Sequence, residues 1–314
     1  MLEVKNITKV YSIGSFGSQQ LKAVDNVSFT LADGEVISLI GESGSGKTTI
    51  GKMILHLLKI DKGSIVFNNQ DVSQLKGRKL KDYYRYVQGV FQDPFSSFNP
   101  IFKTDRIFKI LKQEYFPSLP HTEWNERIEK ALLAVGLNSS EVLNKYPHQL
   151  SGGQLQRFLI ARALLLEVKL LVADEIISML DASTRIDVLN LLGDLKKLGL
   201  SILFITHDLS LGYYIGEKAV ILYRGQIMEM GSTDQVFFNP LHPYTKMLLE
   251  SVPRLDRKWQ EFTVAERNAH PEGDGYCLYY ARCPWADKTK PCSLPNLLEI
   301  EPGHYVACSH CQPH

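Results

Sequence analysis

Cysteine is missing from the first 276 residues of this 314-residue chain; all five cysteines, at 277, 283, 292, 308 and 311, fall in the tail. A disulfide framework is therefore excluded as the organiser of the main body. Long hydrophobic runs are missing too. No segment approaches the ~18 consecutive apolar residues of a membrane-spanning helix, and Met1, Leu2, Glu3, Val4 and Lys5 begin no signal peptide. The expectation is a cytoplasmic chain that reaches a membrane only through partners. Neither charge sign is in excess. Lys and Arg total 35 against 34 Asp and Glu, for a net charge of +1, so bulk electrostatics argue against nucleic acid as a partner. Sustained heptads and internal repeats are absent as well. With 44% apolar residues, the chain has enough material for a packed core and enough length for two domains.

Against that background stands a phosphate-binding loop. Gly41, Glu42, Ser43, Gly44, Ser45, Gly46, Lys47 and Thr48 follow the strand-like run Val36, Ile37, Ser38, Leu39 and Ile40. Glycines at 41, 44 and 46 let the backbone curl so that successive N–H groups face phosphate oxygens, and a helix opening near Lys47 adds its positive dipole end. Lys47 is placed to reach the β and γ phosphates, Thr48 to ligate Mg²⁺, and Thr49 completes the nucleotide-binding stretch. Taken alone, the same residues also describe a glycine-rich turn with a surface lysine.

A second apolar run, Leu170, Leu171, Val172 and Ala173, reads as a buried parallel strand ending in Asp174 and Glu175. Carboxylates at such an end face the crevice where α/β sheets bind ligands. Asp174 suits the Mg²⁺ shell, and Glu175 suits polarising a water for attack on the γ phosphate. The plainer alternative is a solvated strand end. A third run, 202–206, delivers His207 and Asp208, for which a helix cap is the ordinary alternative.

In this order the motifs resemble those of the ATP-binding subunits of ABC transporters, over roughly residues 1–250. The resemblance gives Tyr11 the role of stacking on adenine and makes Gln92 a sensor of Mg²⁺ and the attacking water. Ser151, Gly152, Gly153 and Gln154, after Leu150, match the family signature. Ser178, Met179, Leu180 and Asp181 resemble its D-loop, and His207 its switch histidine. It implies an ATPase using ATP and Mg²⁺, with Thr48, Gln92 and Asp174 around the ion. The signature acts in trans, Ser151 and Gly153 closing over the γ phosphate of another subunit, so one copy per chain implies a dimer. One departure is visible: Ile176 stands where the family has proline after the catalytic glutamate. It alters the expected turn, because proline fixes φ and removes a donor, but both carboxylates remain and hydrolysis is still expected.

The implied fold is α/β: a P-loop ABC ATPase core with a mostly parallel sheet, antiparallel β elements in the N-terminal part, an inserted helical subdomain at about 93–157, and a small cysteine-rich C-terminal extension. The ATPase domain is expected over 1–240 and the extension over 241–314. Glycine, proline and serine punctuate helical stretches such as 123–135 in the insertion. Phe91, Phe95, Phe98, Tyr115 and Phe116 are candidates for a groove that receives coupling helices of membrane subunits, with a core role as the alternative.

The tail narrows the resemblance. Asn239, Pro240, Leu241, His242, Pro243, Tyr244 and Thr245 resemble the motif opening the C-terminal extension of oligopeptide and dipeptide importer ATPases. His242 and Tyr244 read as structural there. Some members of that subfamily hold a four-iron four-sulfur cluster on four cysteines. By that resemblance Cys277, Cys283, Cys292 and Cys308 would carry a 4Fe-4S cluster and leave Cys311 spare, while thiolates at this spacing equally suit Zn²⁺.

Subfamily members work as pairs of related ATPases on the cytoplasmic face of the cell membrane, and this chain looks like the second of such a pair. The implied partners are a second ABC ATPase, in a heterodimer in preference to a homodimer, two transmembrane permease subunits and, indirectly, an extracellular solute-binding protein. Peptides lead as cargo, with oligosaccharides and nickel chelates as alternatives. The competing class is a soluble ABC ATPase acting on ribosomes or DNA, which predicts twin ABC domains, a coiled-coil insertion or an N-terminal cysteine domain.

Overall fold

The computed structural model describes residues 1–13, 19–252, 276–286, 292 and 296–311. In chain order the elements are β1 (Leu2–Ile13), β2 (Gln19–Leu31), β3 (Val36–Ile40), α1 (Lys47–Ile54), β4 (Lys62–Phe67), β5 (Gln70–Asp71), α2 (Gly77–Tyr86), β6 (Val87–Val90), α3 (Arg106–Tyr115), α4 (His121–Ala134) and α5 (Ser139–Val142). There follow α6 (Gly152–Leu164), β7 (Leu170–Asp174), α7 (Ala182–Lys197), β8 (Ser201–Thr206), α8 (Leu209–Ile215), β9 (Lys218–Tyr223), β10 (Gln226–Ser232), α9 (Thr233–Phe238), α10 (Pro243–Glu250), β11 (Leu298–Glu301) and β12 (His304–Val306). The contacts divide the chain into two units.

The first unit comprises residue 1, residues 31–35 and residues 69–203. Its β6 and β7 pair in parallel, Val87 opposite Leu170 through Val90 opposite Ala173. Every residue of β7 is buried, which is why the strand reads, up to its terminal Asp174, as an apolar run rather than an alternating one. Helix α4 buries Trp124, Ile128, Ala131 and Leu132, the spacing of one helical face, and packs against α6. The Phe108 ring of α3 stacks on Phe158 of α6 at 4.5 Å, and Phe98 meets Phe158 edge-on at 5.9 Å. Of the aromatics expected along a docking groove, Phe98 is half-buried against Phe158 and Phe116 leans on Trp124, while Phe95 stays 45% exposed.

The second unit comprises residues 2–30, 36–68 and 204–314. Its sheet runs β11-β12-β10-β9-β3, followed by the C-terminal half of β8. Strands β3 and β9 are parallel, and β9, β10, β12 and β11 are successively antiparallel. The expected N-terminal antiparallel element is present, β1 pairing with β4 from Leu2 opposite Phe67 onwards. The tail does not stand apart as a separate body: β12 extends the sheet beside β10, and Tyr279, Tyr280 and Cys283 pack into a core with Ile40, Tyr223 and Tyr244.

Candidate functional site

In the second unit, the phosphate loop leaves β3 at Gly41 and turns into α1 at Lys47. Two of its glycines are sterically required. A Cβ on Gly41 would lie 2.2 Å from the Leu222 carbonyl oxygen, and one on Gly46, whose φ is +101°, would lie 2.3 Å from that of Ala23. The Lys47 ammonium donates to the carbonyl oxygens of Gly41 at 2.7 Å and Glu42 at 2.9 Å, which holds the cation over the loop. Ser45 is buried, whereas Ser43, Gly44 and Thr48 are exposed and Thr49 is half-buried. Tyr11, near the end of β1, is 37% exposed, with the Lys9 ammonium 5.8 Å from its ring centre. His207 is exposed at the end of β8, next to Asp208, whose carboxylate caps α8 by accepting from the N–H of Ser210 and Leu211. Helix α8 is fastened to β3 by the Ser38 hydroxyl, which donates to the Gly212 carbonyl at 2.8 Å.

In the first unit, Asp174 is buried at the end of β7 and Glu175 follows with φ +50°. Left-handed backbone is uncommon outside glycine, and such positions cluster at functional sites. The conformation is held by Ser178, whose N–H and hydroxyl both donate to the Glu175 carbonyl, at 3.1 and 2.8 Å. Ile176, the departure from the family pattern, is buried. A proline there would disfavour helical backbone at the residue before it.

The same unit brings three of the expected motifs together. Ser151 caps α6 in a reciprocal box with Gln154, accepting from the Gln154 N–H at 3.2 Å, while the Gln154 side chain accepts from the Ser151 N–H at 3.0 Å. Asp181 caps α7 and accepts from the Ser183 and Thr184 hydroxyls and the Thr184 N–H, which hold its carboxyl well below the usual range. Gly153 faces that cap so closely that a Cβ would lie 2.4 Å from Thr184 Cγ2. On its other side α6 is tied to the Gln92 loop, Gln156 donating to the Phe91 carbonyl at 3.3 Å and Arg162 to the Gly89 carbonyl at 2.9 Å. Gln92 itself is exposed.

Cys277, Cys283, Cys292 and Cys308 line one small cavity in the second unit, together with His242, Tyr279, Tyr280 and His310. Burial pushes the Cys277 thiol up to about 11 and raises Cys283 as well. The Cys311 thiol donates to the Leu241 carbonyl at 3.6 Å, and the mutual interaction of Cys308 and Cys311 lowers the Cys308 thiol and raises that of Cys311. Among the described residues, no group of three or more His, Cys, Asp or Glu side chains is arranged to hold a metal ion. The iron-sulfur or zinc expected on these cysteines, and with it the extension as a metal-holding module, therefore gains no support from the geometry.

Glu42 was not among the residues that sequence motifs assigned a role. It is tied to Tyr244 and Arg282, 202 and 240 residues further on, and no local signal points to partners so distant.

A glycine-lined phosphate loop at the end of a buried strand, carboxylates at the end of another, and a capped signature helix define an α/β ATPase of the P-loop class. The comparisons agree. The ABC transporter family model matches residues 24–178, and that of the oligopeptide/dipeptide transporter C-terminal region matches 228–292. A putative peptide import ATP-binding protein of Brucella ovis is 40% identical, covering 98% of this chain and 97% of its own length. The oligopeptide transport ATP-binding protein AppF of Bacillus subtilis is 40% identical, covering 98% and 96%, and OppF of Streptococcus mutans 43%, covering 82% of each. Among solved structures, the dimeric post-hydrolysis state of the ATP-binding cassette MJ0796 bound to ADP and Pi superposes with a TM-score of 0.67 at 29% identity, over 74% of this chain and 99% of the other. The chain belongs to the ATP-binding proteins of the ABC transporter family and is an ABC ATPase. Among the described residues, no helix is long and apolar enough to cross a membrane.

Proposed function

We propose that this chain is the ATP-hydrolysing subunit of a peptide importer, working at the cytoplasmic face of the membrane as one half of a dimer of ABC ATPases bound to two permease subunits. The observation that carries the reading is the match of the tail, residues 228–292, to the oligopeptide/dipeptide transporter C-terminal region, on a chain that also carries a complete set of ABC motifs. The names of the relatives support peptides as the cargo class, ahead of oligosaccharides and nickel chelates.

The roles follow the chemistry of each residue. Gly41, Ser43, Gly44, Ser45, Gly46, Lys47, Thr48 and Thr49 bind the phosphates, and Tyr11 stacks on the base. Thr48, Gln92 and Asp174 are oxygen donors of the kind Mg²⁺ takes, and the buried Asp174 carboxylate suits a cation. Mg²⁺, when bound, neutralises charge on the phosphates. Glu175 accepts the proton of a water as that water's oxygen bonds to the γ phosphorus and the bond to the bridging β,γ oxygen breaks. His207 and Gln92 orient the γ phosphate and the water. Ser151, Gly152, Gly153 and Gln154 act on the nucleotide of the partner ATPase, with Asp181 fixing the neighbouring loop.

The permease reading has a feature of its own in the first unit: a groove of about 490 Å³ lined by Phe108, Lys112, His121, Trp124 and Ile128. The buried Trp124 Nε1 beside it has no hydrogen-bond partner among the described residues. A partner of the heterodimer, a solute-binding protein on the other side of the membrane, and the division into 1–240, with 93–157 inserted, and 241–314 belong to the same proposal. So does a 4Fe-4S cluster on Cys277, Cys283, Cys292 and Cys308. It is carried by the number and type of these residues, thiolates being the ligands such a cluster takes, and not by the geometry of the described residues.

Anaerobic purification of the tagged chain from gently solubilised membranes, with mass spectrometry of what accompanies it, tests the reading. Two membrane proteins and a second ABC ATPase are expected. Ribosomal or DNA-associated proteins in their place would leave the ATPase standing and overturn the transport role.

A further inference from the structure

Glu42 is the second residue of the phosphate loop, and all its polar groups are engaged. Its N–H donates to the Tyr244 hydroxyl at 3.1 Å, and its carbonyl accepts from the Ser45 N–H at 3.1 Å and the Lys47 ammonium at 2.9 Å. Its carboxylate receives Arg282 Nη1 at 3.1 Å from both oxygens. Two of these partners, Tyr244 and Arg282, come from the tail. Neither is loosely placed. Tyr244 is fully buried in α10, with its ring 4.6 Å from that of Tyr223 and 5.4 Å from that of Tyr279. Arg282 also hydrogen-bonds Tyr223 and lies next to Cys283 of the cysteine cavity. The loop's other shoulder is held from the same side of the chain, the Gly225 N–H donating to the Ser45 carbonyl at 2.9 Å just beyond Tyr223.

An N–H that donates to a buried tyrosine is committed to the protein and does not face a phosphate. The Glu42 amide therefore fixes the path of the loop and leaves the amides further along it to bind. The ion pair alone carries little, since the Glu42 side chain is 39% exposed and such pairs are weak in water. What matters is convergence: the carbonyl that holds Lys47 belongs to the residue that Tyr244 and Arg282 hold on its two remaining sides.

We infer that Tyr244 and Arg282 are positioning residues of the phosphate loop, through which the C-terminal extension sets the affinity of this subunit for ATP. The inference rests on the reading of the loop as the ATP site. It gives the extension a task in the ATPase cycle of its own subunit, beyond stapling the tail.

The test is titration of the full-length chain with a fluorescent ATP analogue and Mg²⁺, together with steady-state ATPase measurements. Tyr244→Phe keeps the packed ring and removes the acceptor; Arg282→Met keeps the bulk and removes the charge. Each is expected to raise the dissociation constant and KM by about three- to thirtyfold, with kcat at saturating ATP within about twofold. Arg282→Lys should recover part of the loss. Arg282→Met combined with Glu42→Gln should be no worse than the stronger single change, because both remove one interaction. Iron and zinc are counted in every variant, so that a change in metal content is read separately. Unchanged affinity in Tyr244→Phe and Arg282→Met, or fully additive effects in the pair, would overturn the inference while leaving the ATPase reading intact. Failure of the unaltered chain to bind the nucleotide would overturn both.

Discussion

Glu229 and His304 form a fully buried pair, Oε1 to Nε2 at 2.8 Å, with neither side chain reaching solvent. A carboxylate only accepts, so the Nε2 proton of His304 is donated to it. The same carboxylate accepts the N–H of Leu241 at 2.8 Å and of His242 at 2.9 Å. One side chain of β10 thus fastens both the β12 strand and the turn that opens α10.

Removing that carboxylate leaves a buried imidazole, the buried His242 N–H and the part-buried Leu241 N–H without their acceptor. Glu229→Ala is expected to destabilise the fold by about 3–5 kcal/mol. Glu229→Gln, which keeps an acceptor, should lose less. Urea unfolding curves of the two variants check this, and a loss under about 1 kcal/mol in the alanine variant would refute it.

Acid should weaken the same region through His242. Its Nδ1 accepts the Tyr244 N–H at 3.0 Å, and burial pushes the imidazole down to about 4, from 6.5. Between those values the unfolded chain binds a proton that the folded one refuses, so stability falls as pH is lowered from about 6.5 to about 4. The full effect is roughly 3 kcal/mol. His242→Asn keeps a helix-capping acceptor and should flatten that part of the profile when unfolding is followed at pH 7, 5.5 and 4.5. An unchanged slope would show that other groups carry it.

At the signature, Gly153→Ala places a methyl group where Thr184 Cγ2 already stands, 2.4 Å away. A loss of about 1–3 kcal/mol is expected. Thr184→Ser deletes that methyl and keeps the hydroxyl on Asp181, so the double variant should recover most of the loss. Without recovery, the crowding lies elsewhere.

Glu175→Gln should lower steady-state ATP turnover by about a hundredfold or more and trap an ATP-bound dimer, visible by size-exclusion chromatography. Retained turnover would remove Glu175 from the role of base.

The cluster proposal is checked on anaerobically purified full-length protein. About four irons per chain with visible sulfur-to-iron absorption are expected. Zinc alone would make the cysteines zinc ligands and no metal would leave them as free thiols, and either result would overturn the cluster.

What was legible in the sequence is what chemistry forces into short contiguous patterns. The phosphate loop needs glycines at fixed places because Leu222 and Ala23 crowd two of them, and β3 and β7 announce themselves as runs that are apolar but for Ser38 and the terminal Asp174, because every residue in them is buried. The signature serine and glutamine are legible for a second reason, since they form a helix cap whose spacing is local. The tail was less legible. Strands β11 and β12 span only four and three residues, too short for an alternation to register, and their place in the sheet depends on the buried Glu229–His304 pair, 75 residues apart in sequence. His242 and Tyr244 read as structural, yet the Tyr244 hydroxyl reaches the phosphate loop. An isolated arginine beside a cysteine gives no hint that its partner is Glu42.

With Glu175 as the proposed base, the left-handed backbone there sets selection for durability against selection for turnover. An L-residue held there carries a conformational cost of about 1–2 kcal/mol that glycine would escape and asparagine would reduce. A library of this chain screened for heat resistance alone should therefore drift at position 175 toward glycine or asparagine, and emerge sturdier and unable to turn over ATP. Homologous chains carrying glycine at that position would be candidates for subunits that bind nucleotide and leave hydrolysis to their partner.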